Sequence, residues 1–177
     1  RLSSAASDVY KRQTLDGGET WENTTDFLFA SGVNTIAVSP ENTDRVLINV
    51  RNSYNGTTHG IYESLDGGDT WSITNFNPDN LNWGGLGTNN RIYKIMYHPT
   101  IPNLVFAGTS EGLFRSNNNF ESFSFIPAGN NTWEYNQDFD YIEFHPTDEN
   151  ILYASTFNND SQIYISNDAG QNFVQSG

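Results

Sequence analysis

Residues Ser64–Trp71 read SLDGGDTW, and the fold follows from how often that octet returns. TLDGGETW stands at Thr14–Trp21, SNNNFESF at Ser116–Phe123 and SNDAGQNF at Ser166–Phe173. The starts lie 50, 52 and 50 residues apart. Just before three of the boxes stand GIYES, GLFRS and QIYIS. Further upstream, a pair of apolar alternating runs is split by a turn: NTIAVSP-ENTD-RVLINV, RIYKIMYHP-TIPN-LVFAGT and DYIEFHP-TDEN-ILYAST. Each unit therefore offers four short strands with Pro, Asn and Asp at the bends. Four strands in about 50 residues mark a propeller blade.

The fold class read from this pattern is all-β, a partial β-propeller. It has about three four-stranded antiparallel blades, at 34–76, 91–127 and 140–177, plus the 14–28 hairpin of a preceding blade. Together 14–177 read as a fragment of one propeller domain. Composition agrees: 177 residues with 24 Asn, 15 Gly and 14% aromatic suit a turn-rich β protein. The formal net charge of −13 argues against nucleic acid as a partner, because phosphate affinity rests on Lys and Arg. No run of 18 apolar residues predicts a membrane span. The absence of Cys excludes disulfides and thiolate metal sites.

Residues 1–13 are set apart. The chain begins with Arg1, and Ser3–Gln13 read SSAASDVYKRQ. One codon choice for Asp8–Gln13 resembles the end of a transposon adapter used in sequencing libraries. The segment is read as a translated adapter rather than native sequence, and few packing contacts and no strand are expected of it.

Within the box, a structural role is expected of every repeated position. Asp16, Asp66 and Asp168 accept hydrogen bonds from turn N–H groups. Gly18, Gly68 and Gly170 supply positive φ. Trp21, Trp71 and Phe173 close over the hairpin and bury area. The third box departs from this pattern with Asn118 and Phe120, and Asn119 is expected to take the left-handed conformation instead, shifting the turn by one residue. A cation site or catalytic acid is the competing reading. Recurrence in every unit favours the stapled turn, since a catalytic acid is needed once.

Ser/Thr-x-Asp-x-Gly-x-x-Trp/Phe resembles the Asp-box, or bacterial neuraminidase repeat, over essentially all of 14–177. That repeat occurs in sialidases, family-74 xyloglucan hydrolases, sortilin-type receptors and a photosystem II assembly factor. The resemblance implies a propeller but poorly specifies function. A sialidase is disfavoured: its arginine triad has few candidates here, with only Arg51 and Arg91 near the expected ligand face. The strand-end Asp of family-74 hydrolases is missing from Ala107-Gly108-Thr109-Ser110-Glu111-Gly112. A sortilin-type or bacterial surface binding propeller, needing no catalytic residue and no cofactor, fits best. The lack of Cys argues against an animal sortilin ectodomain. The style of the chain implies an extracellular or cell-surface bacterial protein.

Loops alternate between two ends of a blade. Turns at the box end are short and repetitive, whereas those at the opposite end are long and varied, where binding residues concentrate. The candidate ligand-binding residues are Trp83, Trp133, Tyr135, Tyr54 and Asp138, with His59, Asp79, Glu134 and Asp140 nearby. Aromatic rings beside amides and carboxylates suit a polysaccharide; a protein ligand is the other candidate partner, along with the remaining blades of the domain. Packing of Trp83 and Trp133 between blades is the alternative. The carboxylates form either an acid/base pair or a solvated acidic rim. His98 and His145 precede Pro where Ser39 precedes Pro40, so they are read as turn residues.

Overall fold

A computed structural model describes residues 12–14, 16–23, 32–80, 90–126, 138–157 and 161–176. The described residues hold fourteen β-strands and no helix. β1 (Arg12–Gln13) and β2 (Glu22–Asn23) form a hairpin. The first blade is β3 (Gly32–Val38), β4 (Val46–Arg51), β5 (Thr58–Ser64) and β6 (Ser72–Ile73). The second is β7 (Ile92–Tyr97), β8 (Val105–Thr109), β9 (Gly112–Ser116) and β10 (Ser124–Ile126). The third is β11 (Phe139–Phe144), β12 (Leu152–Thr156), β13 (Ile163–Ser166) and β14 (Val174–Gln175). Each is a four-stranded antiparallel meander in chain order. The first strands pack side by side, β3 on β7 and β7 on β11. The chain is thus a partial β-propeller.

The hairpin departs from expectation. Arg12 pairs with Asn23 and Gln13 with Glu22, so it opens at Arg12 rather than Thr14 and the set-apart segment does contribute a strand. A two-residue ladder is made by backbone groups and asks little of side-chain identity, so composition could not foresee it.

The box sits on each third-to-fourth-strand hairpin. In the box at Ser64, Thr70 N–H donates to Asp66 Oδ1 at 2.8 Å, and Gly68 N–H donates to Ser64 Oγ at 2.8 Å. Thr20 and Asn172 N–H make the same bond to Asp16 and Asp168. The hydrogen bonds hold the Asp66 carboxyl down to about 2 and that of Asp168 below its ordinary value, although partial burial of Asp168 opposes this. The octet also ties its hairpin to its own blade. Gly67 N–H donates to Asp44 O at 2.8 Å, and Ala169 N–H to Asn150 O at 2.9 Å. These acceptors lie in the first-to-second-strand turns, which places both turns at one end of the blade.

The third box does not shift. Asn119 (φ 56°) and Phe120 (φ 66°) are both left-handed, as are Gly67 and Gly68. Phe120 N–H donates to Ser116 Oγ at 2.8 Å, the bond Gly68 makes to Ser64. Asn118 replaces the carboxylate, accepting from Ser122 N–H at 2.9 Å. Trp21 is also a correction: it is 55% exposed, its indole donating to Gly18 O, whereas Phe173 is buried against the second blade.

The fifth box residue explains that exception. Gly170 lies against Phe106 of the second blade, and an added Cβ would overlap the ring. One blade earlier the register equivalent of Phe106 is Leu47, and that of Gly170 is Phe120; both are buried in one cluster with Phe76. A large residue on the sheet meets a glycine; where the equivalent sheet residue is smaller, a phenylalanine is buried in the same cluster, its ring against Phe76. Filling this volume outweighs the strain of a left-handed Phe.

His98 is buried in the second blade's turn, where Nδ1 accepts from Thr100 N–H at 3.2 Å and Ile101 N–H at 3.0 Å. Phe144 of the third blade covers it edge-on. Its role in the structure is that of a turn residue.

Two outcomes follow from the packing. Gly170→Ala should cost about 2–4 kcal/mol in urea denaturation, from overpacking and a left-handed Ala. Adding Phe106→Leu should recover at least about 1 kcal/mol relative to the sum of the single variants; strict additivity would refute the size pairing. Burial lowers the His98 pKa, outweighing Glu149. Above pH ~6.5 the imidazole is neutral in both states; below it the unfolded chain takes the proton first, so stability falls as pH drops. His98→Ser, the residue found at position 39, should flatten the slope of Tm between pH 7 and 5.

Candidate functional site

At the end opposite the boxes, the first strands begin and the second strands finish. Each first strand carries a register shift at its start: between Val33 and Ile36, Ile92 and Lys94, and Phe139 and Tyr141. A bulge re-aims the side chain it displaces. The repeated bulge position is occupied by Asn34, Tyr93 and Asp140, so one backbone device presents three different chemistries.

Tyr93 and Asp140 line a cleft of about 460 Å³ between the second and third blades, with Arg91, Asp138 and Phe157. Its frame is backbone-bonded. Phe157 N–H donates to Asp138 O at 3.0 Å, and Ser110 N–H donates to Arg91 O at 2.9 Å. Arg91 N–H returns a bond to Ser110 Oγ at 3.0 Å. Ser155 Oγ donates to Asp140 Oδ1 at 3.3 Å. The Tyr93 hydroxyl pKa is raised by burial and then by the Asp138 charge, with Arg91 acting against the rise. Phe157 is 70% exposed, an aromatic ring open to solvent beside charged groups.

Glu111 lies in the tight β8–β9 turn, next to Ser110. It is buried, with its N–H donating to Thr109 Oγ1 at 3.0 Å and Ser110 Oγ 3.5 Å from Oε1. Burial pushes its carboxyl pKa up, and Asp138 adds to the rise. Glu111 is thus a buried carboxyl whose charged form is disfavoured by burial and by the Asp138 charge.

A second cation adjoins the cleft. Gly56 (φ 76°) places its backbone where a Cβ would lie 3.4 Å from Arg91 Nε and 3.7 Å from Arg51 Nη1. Arg91 Nη2 donates to Asn55 O at 3.2 Å. The 52–57 loop is therefore propped on the two guanidinium groups.

Of the residues anticipated from sequence, Asp138 and Asp140 line the cleft. Tyr54 sits in the adjoining loop but is 99% exposed and is not among the lining residues. Trp83, Trp133, Tyr135 and Glu134 lie outside the described residues. Their segments, 81–89 and 127–137, run in sequence directly into Asn90-Arg91 and Asp138. Tyr93, Phe157 and Glu111 were missed. Each sits at a strand end inside a repeated pattern, and only comparison of the bulge position between blades would have singled out Tyr93. Among the described residues, no group of three His, Asp or Glu could hold a metal, and no helix is long and apolar enough to cross a membrane.

No sequence family and no curated protein matches the chain. Solved structures share the fold. A GH74 enzyme of Niastella koreensis superposes with TM-score 0.66 at 22% identity, over 95% of this chain and 27% of its own. An ancestral GH74 enzyme gives 0.67 at 20% identity, over 97% and 22%. An extracellular domain assigned to a hybrid two component system of B. thetaiotaomicron gives 0.55 at 19%, over 82% and 16%. The chain spans about a quarter of the two GH74 chains. At these identities the likeness is one of fold: an antiparallel propeller.

The unequal carboxylates give a direct outcome. In carbon-detected NMR titration, Glu111 should titrate above its ordinary value, and Asp138→Asn should move it downward by removing a neighbouring negative charge. Titration of Glu111 at an ordinary value in both proteins would mean that the carboxyl is solvated.

Proposed function

We propose that the chain forms part of the glycan-binding face of an exported bacterial Asp-box propeller. The observation that carries this reading is the cleft between the second and third blades, where Tyr93 and Phe157 meet Arg91, Asp138 and Asp140. Ring faces pack on sugar C–H groups, while a guanidinium and carboxylates hydrogen-bond hydroxyls. A cleft of about 460 Å³ suits one or two sugar rings. The loops carrying Trp83, Trp133 and Tyr135 supply further rings to the same face in this reading. Tyr54 extends the face at its rim. The boxes, with Asp16, Asp66 and Asp168, build the scaffold and take no part in the chemistry.

A second reading, part of a glycoside hydrolase of the xyloglucanase-like Asp-box type, is favoured by the Glu111–Asp138 pair. A buried carboxyl whose pKa is raised, with a second carboxylate adding to the rise, has the electrostatic bias of a general acid. The binding reading is preferred because Glu111 is buried in the β8–β9 turn and is not among the residues that line the cleft.

Titration with plant and microbial polysaccharides, read by tryptophan fluorescence, separates the two. Phe157→Ala and Asp138→Asn should each weaken binding by about 1–3 kcal/mol with unchanged unfolding midpoints. Trp83→Ala and Trp133→Ala should do likewise; unfolding of those variants would make the two rings core. Hydrolysis of a bound glycan that is lost in Glu111→Gln without unfolding would overturn the non-catalytic reading.

A further inference from the structure

The chain holds 24 Asn, and only Asn55 is followed by glycine. Elsewhere the next residue carries a Cβ that crowds its own nitrogen; Gly56 has none. Asn55 is exposed in the 52–57 loop. Its Oδ1 accepts from Thr57 N–H at 3.0 Å, which polarises the side-chain carbonyl and makes Cγ more electrophilic. One turn bond, Gly56 N–H to Asn52 O at 2.9 Å, holds the neighbouring nitrogen. The box dipeptide Asp66–Gly67 looks similar but differs chemically. Its carboxyl is kept ionised by hydrogen bonds and is a poor electrophile, and Gly67 N–H is bound to Asp44 O.

Two cations face this dipeptide. Gly56 (φ 76°) turns its open side to them: a Cβ there would lie 3.4 Å from Arg91 Nε and 3.7 Å from Arg51 Nη1. Arg91 Nη2 also donates to the main-chain oxygen of Asn55 at 3.2 Å. Both guanidinium groups therefore favour negative charge that develops on the Gly56 nitrogen or on the Asn55 main-chain oxygen.

We propose that Asn55–Gly56 is a self-modification site, at which the side-chain amide is lost and the residue becomes isoaspartate, with Arg91 directing that isomer. The Gly56 nitrogen gives its proton to solvent and bonds to Asn55 Cγ. The Cγ–Nδ2 bond breaks and ammonia leaves, closing a cyclic imide. Water then adds at the main-chain carbonyl carbon of Asn55, and the bond from that carbon to the Gly56 nitrogen breaks. The chain now runs through the former side-chain carbon, and the former main-chain carbonyl is a carboxylate. One ammonia has been exchanged for one water, and one negative charge is gained. The oxygen that accepts from Arg91 is the one on which charge builds when water adds there. Attack at the other imide carbonyl, which would give ordinary Asp, lacks this donor. The product carboxylate pairs with a guanidinium that also lines the cleft, so the modification changes the charge of that wall.

The test incubates the full chain at mildly alkaline pH and follows it by peptide mapping with mass spectrometry, the isomer being counted with isoaspartyl methyltransferase. Asn55 should be the first Asn to lose its amide. Its isoaspartyl share should exceed that of a free peptide of residues 52–60. Arg91→Ala should lower the share to the peptide's, and Arg91→Lys, which keeps the charge without the fork of donors, should leave it between the two. Earlier loss at any other Asn, or isomerisation at Asp66 before Asn55 reacts, would overturn the site. An equal share in chain and peptide, or a share that neither variant moves, would overturn the role of Arg91. Because the chain-to-peptide comparison needs no variant, it stands should Arg91→Ala fail to fold.

Discussion

Everything in this molecule hangs on two consecutive left-handed residues in each box. For an L-residue that conformation is uphill, and a pair of them needs outside support. The support is local: a hydroxyl at the first position accepts the N–H of the fifth, and a carboxylate or amide at the third accepts from the seventh. The fourth residue's N–H is then aimed at the carbonyl of the adjacent turn of its own blade. The hairpin, the blade edge and the neighbouring blade are located together by one eight-residue device.

That device tolerates chemical change provided the geometry is kept. Asn118 serves where Asp serves elsewhere, because the bond from the seventh N–H needs an oxygen, not a charge. Phe120 serves where Gly serves, because the register equivalent of Phe106 one blade earlier is the smaller Leu47, buried in one cluster with Phe120 and Phe76. Blade-to-blade packing thus selects residues in pairs across an interface.

The fold was legible because it repeats: the alternating runs, the turn residues and the octets all point to the same four-stranded unit. Recurrence also allowed His98 and His145 to be matched with Ser39 as turn positions. The site was less legible for the complementary reason. Its lining residues, Tyr93, Asp140 and Phe157, are departures from the repeat at bulges and strand ends, where a one-residue change in register decides the direction of a side chain. Asp138, which lines the cleft, was anticipated from its loop; Tyr93 and Glu111 look in sequence like ordinary strand and turn residues. The third box misled for a different reason. Phe at positive φ is rare enough that a shifted turn was the better reading until the burial of Phe120 against Phe76 was visible.

The central claim is that the left-handed pair is clamped structure rather than flexible loop. Amide hydrogen exchange at Gly68, Phe120 and Gly170 tests it most directly, since each of these N–H groups donates to the first-position hydroxyl. The account predicts protection close to that of the central strands β8 and β12, with Phe120 as slow as the two glycines. Exchange of all three at the rate of the exposed 52–57 loop would contradict it.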